Sequence, residues 1–456
     1  MRIYAKISHG FGHVISFLYL CSRFEIRNMR IYAKISHDMT INRPILVEKL
    51  VQRKHNGMIK IITGLRRSGK SYLLFNLFHN HLLQNNVPAD HIIKVDLEDF
   101  DAYPLREPRN LLDYVSSAIK DNDLYYIFID EVQHLAHFED VLNTLLKRGN
   151  MDVYVTGSNA RFLSKDVVTT FRGRGDEIRV HPLSFAEYLT AFPDRNPEQV
   201  ITDYMTYGGM PQLLAMSSVE QKGSYLKSLF TETYLTDIRE RYHIQEDSDL
   251  EELIDLVAST IGSLQNPLKL QNTFKSIKQS RISQETIKRY LDYLQDAFLI
   301  EKSVRYDIKG RHYISTPHKY YFEDLGLRNA RLNFRQIEPS HLMENMLYNE
   351  LRLRGFSVDV GQVIQNTKDS NGVSQRQQLE VDFVCNKGYK RYYIQSAYSM
   401  PSYDKVEQEL RSLKAINDSF LKIIITADQT PTHQMRNGVL VLNRIDFLTD
   451  MDSLPL

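Results

Sequence analysis

Eight residues, GLRRSGKS at 64–71, constrain this chain more than any other feature, because they stand between a short apolar run and a helical one. Ile59, Ile61 and Ile62 read as a buried strand, and Leu73, Leu74, Leu77 and Phe78 recur at helical spacing. The segment matches G-x-x-x-x-G-K-[ST] in the strand–loop–helix setting that the motif requires. Gly64 and Gly69 let the loop turn tightly, so that backbone N–H groups converge on phosphate at the positive end of the following helix. Lys70 is then placed to reach the β- and γ-phosphates of ATP, and Ser71 to hold Mg2+. Arg66, Arg67, Ser68 and Tyr72, in or beside the loop, are further candidates for nucleotide contact.

A nucleotide site that hydrolyses also needs carboxylates at the end of a neighbouring strand. LYYIFIDEVQHL at 124–135 supplies them: Tyr126 to Ile129 run into Asp130 and Glu131, as a central parallel strand ending at a ligand crevice does. Asp130 is expected beside Mg2+, and Glu131 is expected to orient and deprotonate the attacking water. Strand-like runs at 91–99, 152–160 and 175–184 bring the number to five, alternating with helical segments. That pattern predicts a parallel α/β sheet with helices on both faces. The fourth run ends in Ser158 and Asn159, which are equally suited to sensing the γ-phosphate and to capping a helix.

GLRRSGKS, IFIDEVQ, YVTGSNA and FRGRGDEIRVHPLSFAEYL together resemble the uncharacterised prokaryotic AAA+-type ATPases that join a P-loop domain to a C-terminal module of unknown function. The resemblance runs from about Met39 to near the C-terminus. It implies an additional strand between the P-loop strand and the acidic strand, and Asn159 as the polar sensor. It also implies an arginine from FRGRG, Arg174 first and Arg172 second, completing the site of a neighbouring copy in a homo-oligomer. A guanidinium in that place stabilises charge on the transferring phosphoryl group.

The chain has 456 residues, more than one hydrophobic core usually serves, and with 42% hydrophobic and 25% charged residues it is expected to fold throughout. Two cysteines, Cys21 and Cys385, make neither a disulfide framework nor a zinc site, which points to a reducing cytoplasm. MRIYAKISH occurs at 1–9 and again at 29–37, which makes Met29 and Met39 alternative starts, and residues 1–38 are assigned no function. The apolar stretch from Phe11 to Cys21 contains His13 and is short for a membrane span, so no membrane partner is expected.

The net charge of +1 hides a local asymmetry. Residues 268–320 hold eleven Lys and Arg against five Asp and Glu, an excess of six that leaves the remainder at −5. Helical periodicity over 224–244, about 248–263, through Leu270, Phe274 and Ile277, and over 282–300 with Ser283 as N-cap is followed by two strand-like runs, SVRYDI and HKYYFED, joined through KGR at 309–311. Three helices and a basic hairpin describe a winged helix-turn-helix. Gln284, Lys288 and Arg289 would face double-stranded DNA, and Lys309 and Arg311 its phosphates. A protein-docking module of the same fold is the rival reading.

The last segment, with a helix through Glu344, Leu347 and Leu351 and strands at FSVDVGQ, QLEVDFVC, KRYYIQSAY and LKIIITA, resembles restriction-endonuclease-like domains. By that resemblance Glu344, Asp382 and Gln395 match site positions, but the position of the expected lysine is Ala397. Lys390 or Lys405 would have to substitute for it in space. The same residues could also serve local hydrogen bonds alone.

These readings predict an N-terminal extension at 1–38, an α/β AAA+-type P-loop domain at 39–200, a helical linker with winged helix at 201–330, and a small mixed α/β nuclease-like domain at 331–456. The expected function is an ATP-hydrolysing switch that couples nucleotide state to DNA or protein binding. The alternatives are a DNA-binding regulator with ATP as a structural ligand, and a Mg2+-dependent nuclease.

Overall fold

The computed structural model describes residues 41–157, 173–244, 248–278, 282–368 and 374–454. Ser158, Asn159 and Arg172 lie outside them, as do the repeated N-terminal segment and Cys21.

Five strands form the first sheet: β1 (Ile59–Thr63), β2 (Ile92–Asp96), β3 (Tyr125–Asp130), β4 (Met151–Thr156) and β5 (Gly175–Arg179), in the order β2-β3-β4-β1-β5. Every pairing is parallel. β4 is therefore the additional strand between the P-loop strand and the acidic strand. Alternation within β3 explains why both faces need cover: Tyr125, Ile127 and Ile129 enter one core and Tyr126 and Phe128 the other. Helix α1 (Pro44–Val51) and a helical run α2 over residues 70–84 cover the second face, and α3 (Pro108–Ala118) and α4 (Phe138–Leu146) the first.

One ion pair is buried within this sheet. Lys60 in β1 pairs with Asp152 in β4, with the Lys60 side chain at 0% and Asp152 at 4% exposure. Asp152 also accepts from Tyr154 Oη at 2.9 Å and the His55 backbone N–H at 3.2 Å, and Lys60 Nζ donates to the Met58 carbonyl at 2.9 Å. The charges are tolerable there because each has several hydrogen-bond partners.

Helices α5 (Phe185–Leu189) and α6 (Pro197–Tyr207), a run α7 over residues 219–242, and helices α8 (Ser248–Ser259), α9 (Pro267–Lys278) and α10 (Gln284–Asp296) follow. Ser283 accepts from the Thr286 N–H as N-cap of α10, which buries Ile287, Tyr290, Leu291 and Leu294 and leaves Gln284, Lys288 and Arg289 exposed.

The second sheet has eight strands in the order β12-β13-β11-β10-β9-β8-β6-β7. They are β6 (Ile300–Asp307), β7 (His312–Phe322), β8 (Ser357–Lys368), β9 (Ser374–Lys387), β10 (Lys390–Ala397), β11 (Leu421–Thr426), β12 (His433–Gln434) and β13 (Leu440–Asn443). The hairpin expected as a wing is part of this sheet, because Arg305, Tyr306 and Asp307 of β6 pair in parallel with Val360, Gly361 and Gln362 of β8. The division expected at 330/331 thus falls within a continuous structure. One core, which takes in Leu65 of the phosphate loop and the segment from Leu183 to Leu454, runs through the helical region and onto the sheet face that carries Phe383, Tyr392 and Ile423. Helix α11 (Leu325–Arg331), α12 (Pro339–Leu353), α13 (Tyr403–Lys414) and α14 (Arg444–Thr449) complete the chain. Among the described residues no helix is long and apolar enough to cross a membrane.

Candidate functional site

Gly64 follows β1 with φ at +135°, and a Cβ there would lie 2.1 Å from the Val180 carbonyl oxygen, so only glycine fits. Gly69 caps the start of α2 at φ 96°. The loop between them is held from beneath by Arg43, a residue no motif pointed to. Its guanidinium donates to the Ser68 carbonyl at 3.1 Å, to the His181 and Pro182 carbonyls at 2.9 and 3.2 Å, and to both Glu187 oxygens at 3.1 and 3.0 Å. From above, Tyr234 Oη of α7 donates to the Arg66 carbonyl at 2.7 Å. Arg66 itself reaches Glu98 at 3.7 Å, Arg67 adopts a left-handed φ of 62°, and Tyr72 is 37% exposed.

Lys70 is buried, and its Nζ folds back onto the Gly64 and Leu65 carbonyls at 3.2 and 3.1 Å. Burial lowers its pKa, and the nearby Glu131 and Asp130 carboxylates oppose that shift. An arriving phosphate would meet an ammonium already in the loop, restrained only by carbonyl oxygens.

Asp130 stands at the end of β3, where the parallel register sets it beside the loop. Its pKa is raised by burial and lowered in part by hydrogen bonds from the Thr156 and Ser71 hydroxyls. Thr156 Oγ1 donates to Asp130 Oδ1 while accepting from the Glu131 N–H at 3.0 Å. Thr156, the last residue of β4, therefore ties the orientation of Asp130 to the backbone of Glu131. Glu131 sits at φ 48°, a strained conformation for a glutamate that aims it away from the strand axis, and Gln133 Nε2 donates to its Oε2.

The residues present fit ATP with Mg2+. Among the described residues no group of three or more His, Cys, Asp or Glu is arranged to hold a metal ion, but Mg2+ bound with a nucleotide takes most of its ligands from phosphate and water. The Ser71 hydroxyl and Asp130 carboxylate meeting across the sheet edge are the protein donors such an ion needs. The Ser68 hydroxyl is buried in the same loop without a partner.

Arg174 lies at the other edge of the sheet. Its carbonyl accepts from the Ile59 N–H at 2.8 Å and its guanidinium touches Asn143 at 3.4 Å. A five-residue strand separates it from the loop of its own chain by roughly 15 Å, so it could reach a nucleotide only on a neighbouring copy.

The P-loop body and the C-terminal sheet meet in a charged joint. Arg179, in register with Thr63 just ahead of Gly64, pairs with Glu301 of β6 and with Glu323 after β7 at 2.9 Å. The His181 ring contacts Glu323 at 2.5 Å, while the His181 carbonyl accepts from Arg43. Burial works against the Glu323 charge, but Arg179 and His181 outweigh it and hold the carboxyl at about 2.

In the C-terminal sheet, Glu344 and Asp382 do come together, and the ammonium beside them is Lys319. Its Nζ lies 2.9 Å from Glu344, 2.7 Å from Glu380 and 3.5 Å from Asp382. Neither substitute expected from the sequence is there: Lys405 pairs with Glu409 at 2.6 Å, and Lys390 is at the far end of β10 from Gln395. Lys319 escaped notice because it comes from β7, which lies four strands from β10 in the sheet order. Burial disfavours its charge, and the three carboxylates outweigh that and raise its pKa. Asp382, which accepts from the Ser396 N–H at 2.9 Å, is pushed up to about 7 by burial and by Glu344, against the pull of Lys319. A cavity of about 350 Å³ opens beside Glu344, Asp382, Gln395 and Arg411.

A family profile describing an AAA domain matches residues 56–189, and one describing a domain of unknown function matches 198–338. An uncharacterized Haemophilus influenzae protein is 32% identical over 413 residues, covering 90% of this chain and 98% of its own length. An uncharacterized Methanocaldococcus jannaschii protein is 27% identical over 395 residues, covering 83% and 82%. Among solved structures, the Aeropyrum pernix ORC1 protein in complex with DNA aligns over 65% of this chain and 93% of its own, at 12% identity and a TM-score of 0.30.

The Asp382 carboxyl gives a prediction with a definite sign. Titrating near 7 when folded and near about 3.9 when unfolded, it releases a proton on unfolding between those values, so through this group stability falls as pH rises across that window. Asp382→Asn should flatten the fall in thermal midpoint between about pH 4.5 and about pH 7.5. An equal slope in variant and wild type would show that the carboxyl is ionised throughout.

Proposed function

The chain belongs to the same family as the Haemophilus influenzae protein and carries the AAA domain of P-loop ATPases, and from that premise we propose that it is an ATP-hydrolysing switch whose nucleotide state is felt by its C-terminal half. The observation that carries this reading is the convergence of Lys70, Ser71, Asp130 and Glu131 at one end of the parallel sheet, with Asp130 and Glu131 tied together through Thr156. In the proposal Mg2+ neutralises phosphate charge when bound with ATP. Lys70 would turn from the loop carbonyls to the phosphates, Ser71 and Asp130 would hold the metal, and Glu131 would take a proton from the water that bonds to the γ-phosphorus as its bond to the β-phosphate oxygen breaks and ADP leaves. Thr156 keeps Asp130 and Glu131 in fixed relation, and Asn159 is the proposed γ-phosphate sensor. Arg174 is proposed to act on a neighbouring copy, because its own loop is beyond reach.

The joint of Arg179, His181, Glu301 and Glu323 supports coupling, since it fastens β5, the neighbour of the P-loop strand, to β6 and the end of β7. For the partner, the exposed Gln284, Lys288 and Arg289 on α10 favour DNA, with a protein partner as the rival, while Arg305 and Lys319 of the basic segment 268–320 are buried and add nothing to that surface.

Glu131→Gln should still bind nucleotide and lose about 10²- to 10⁴-fold in turnover, while Lys70→Ala should lose nucleotide binding. Phosphate release and a fluorescent nucleotide read the two effects. Wild-type turnover by Glu131→Gln would remove Glu131 from the reaction and favour ATP as a structural ligand.

One observation favours a second activity, Mg2+-dependent phosphodiester cleavage: Lys319, buried behind the cavity that Glu344 and Asp382 line, sets against those two carboxylates the ammonium that the sequence lacks at position 397. An ammonium there can neutralise phosphate and orient water. Single- and double-stranded DNA should then be cut with Mg2+ or Mn2+ by the wild type and not by Asp382→Ala. Intact substrates under every condition would leave this activity without support.

A further inference from the structure

The C-terminal sheet is covered unevenly. Helix α13 shields one face over Val381, Val384, Tyr393 and Ala397 through Leu410 and Leu413, and Tyr306 packs only at the margin of that cluster. Beyond the shielded area, side chains from four separate segments form a row: Tyr313 of β7, Tyr306 of β6, Arg391 of β10, and Phe420 just ahead of β11. The Tyr306 and Tyr313 rings are 5.3 Å apart at 62°. The Arg391 guanidinium lies 5.5 Å from the Tyr306 ring and 5.3 Å from that of Phe420. Tyr313 is 61% exposed and Phe420 40%, and Tyr389 in the β9–β10 turn is 89% exposed. Tyr313 on its strand, with Phe420 and Tyr389 beside the sheet, keeps apolar area in water, which is unfavourable unless something covers it.

Charge indicates what that is. The acids nearest the row are fewer than the cations and hold protein donors: Asp359 accepts from Tyr313 Oη at 3.2 Å, Asp418 from Tyr393 Oη at 2.5 Å, and Asp307 from the Gly310 N–H at 2.8 Å. Lys309, Arg311, Lys390 and Arg391, in the two turns and on the row, form no ion pair with a described carboxylate. A ligand suited to this face has flat apolar surfaces to lay on rings and a negative backbone to run past the cations. Duplex DNA hides its base faces inside its own stack, whereas a single strand offers them.

We propose that the row Tyr313–Tyr306–Arg391–Phe420 is a binding surface for single-stranded nucleic acid. Bases stack on the tyrosines and on Phe420, Arg391 stacks or pairs with phosphate, and the turn cations follow the backbone. The surface is separate from the exposed side of α10 and from the ATP site, and the inference does not depend on hydrolysis.

The test is fluorescence anisotropy of the full chain, without nucleotide and at low salt, with a labelled oligothymidylate of about 16 nucleotides and a duplex of the same length. The wild type should bind the single strand. Tyr313→Ala and Phe420→Ala should each weaken single-strand binding roughly fivefold or more, while Tyr313→Trp, which keeps a ring, should not. Lys288→Ala with Arg289→Ala removes the candidate duplex surface on α10, and in that background the single strand should be preferred over the duplex. Alanine variants that bind like wild type would overturn the assignment, as would a preference for duplex in the Lys288→Ala, Arg289→Ala background or no binding of the single strand at all, the last favouring a protein partner. Turnover measured on the same preparations separates failure of this surface from failure of the ATPase reading.

Discussion

The guanidinium of Arg43 is the fastening on which the rest of the molecule depends. With every nitrogen engaged, it locks the phosphate loop to the segment after β5 and to Glu187 at the start of α5. A buried cation so fully bonded is costly to move, and removing either side of its pair with Glu187 would strand the other in the core. The carbonyl of His181 is one of its acceptors, and the ring of the same residue holds Glu323. Two bodies built on two sheets thus share a charged joint beside the loop.

The chemistry of the loop follows from what is buried there. Lys70 waits on carbonyl oxygens, which bind it less strongly than phosphate would, and Asp130 is kept from its ordinary acidity by burial until a cation arrives. Both shifts favour an incoming Mg2+ and phosphate, since each group gains its preferred charge partner on binding. The C-terminal cluster reaches a different balance. One ammonium shared among Glu344, Glu380 and Asp382 leaves negative charge in excess, and the strain appears as the raised pKa of Asp382.

Local signals made the P-loop body legible in the sequence. The two flanks of GLRRSGKS and the run into Asp130 each declare their own element, and β4 lies between β1 and β3 as the family resemblance implied. What escaped was everything set by distant contact. Arg43 precedes its partner Glu187 by 144 residues, and Thr156 looked like one more residue of an apolar strand until its hydroxyl met Asp130. The hairpin read as a wing carries no mark of its destination, because pairing with β8 is decided across a 55-residue separation, from Arg305 to Val360. Lys319 is hidden for the same reason: the spacing from Asp382 to Gln395 and Ala397 lies along one strand pair, while the lysine comes from the sheet's edge.

The central claim is that binding at the loop is transmitted through the joint. Hydrogen exchange of the full chain, with and without ATP and Mg2+ and beside Lys70→Ala, tests it most directly. The account predicts nucleotide-dependent protection not only at 64–71 but also at 179–183 and across 300–324, all absent in the variant. Protection confined to 64–71 would contradict it, leaving a nucleotide site that the C-terminal half does not feel.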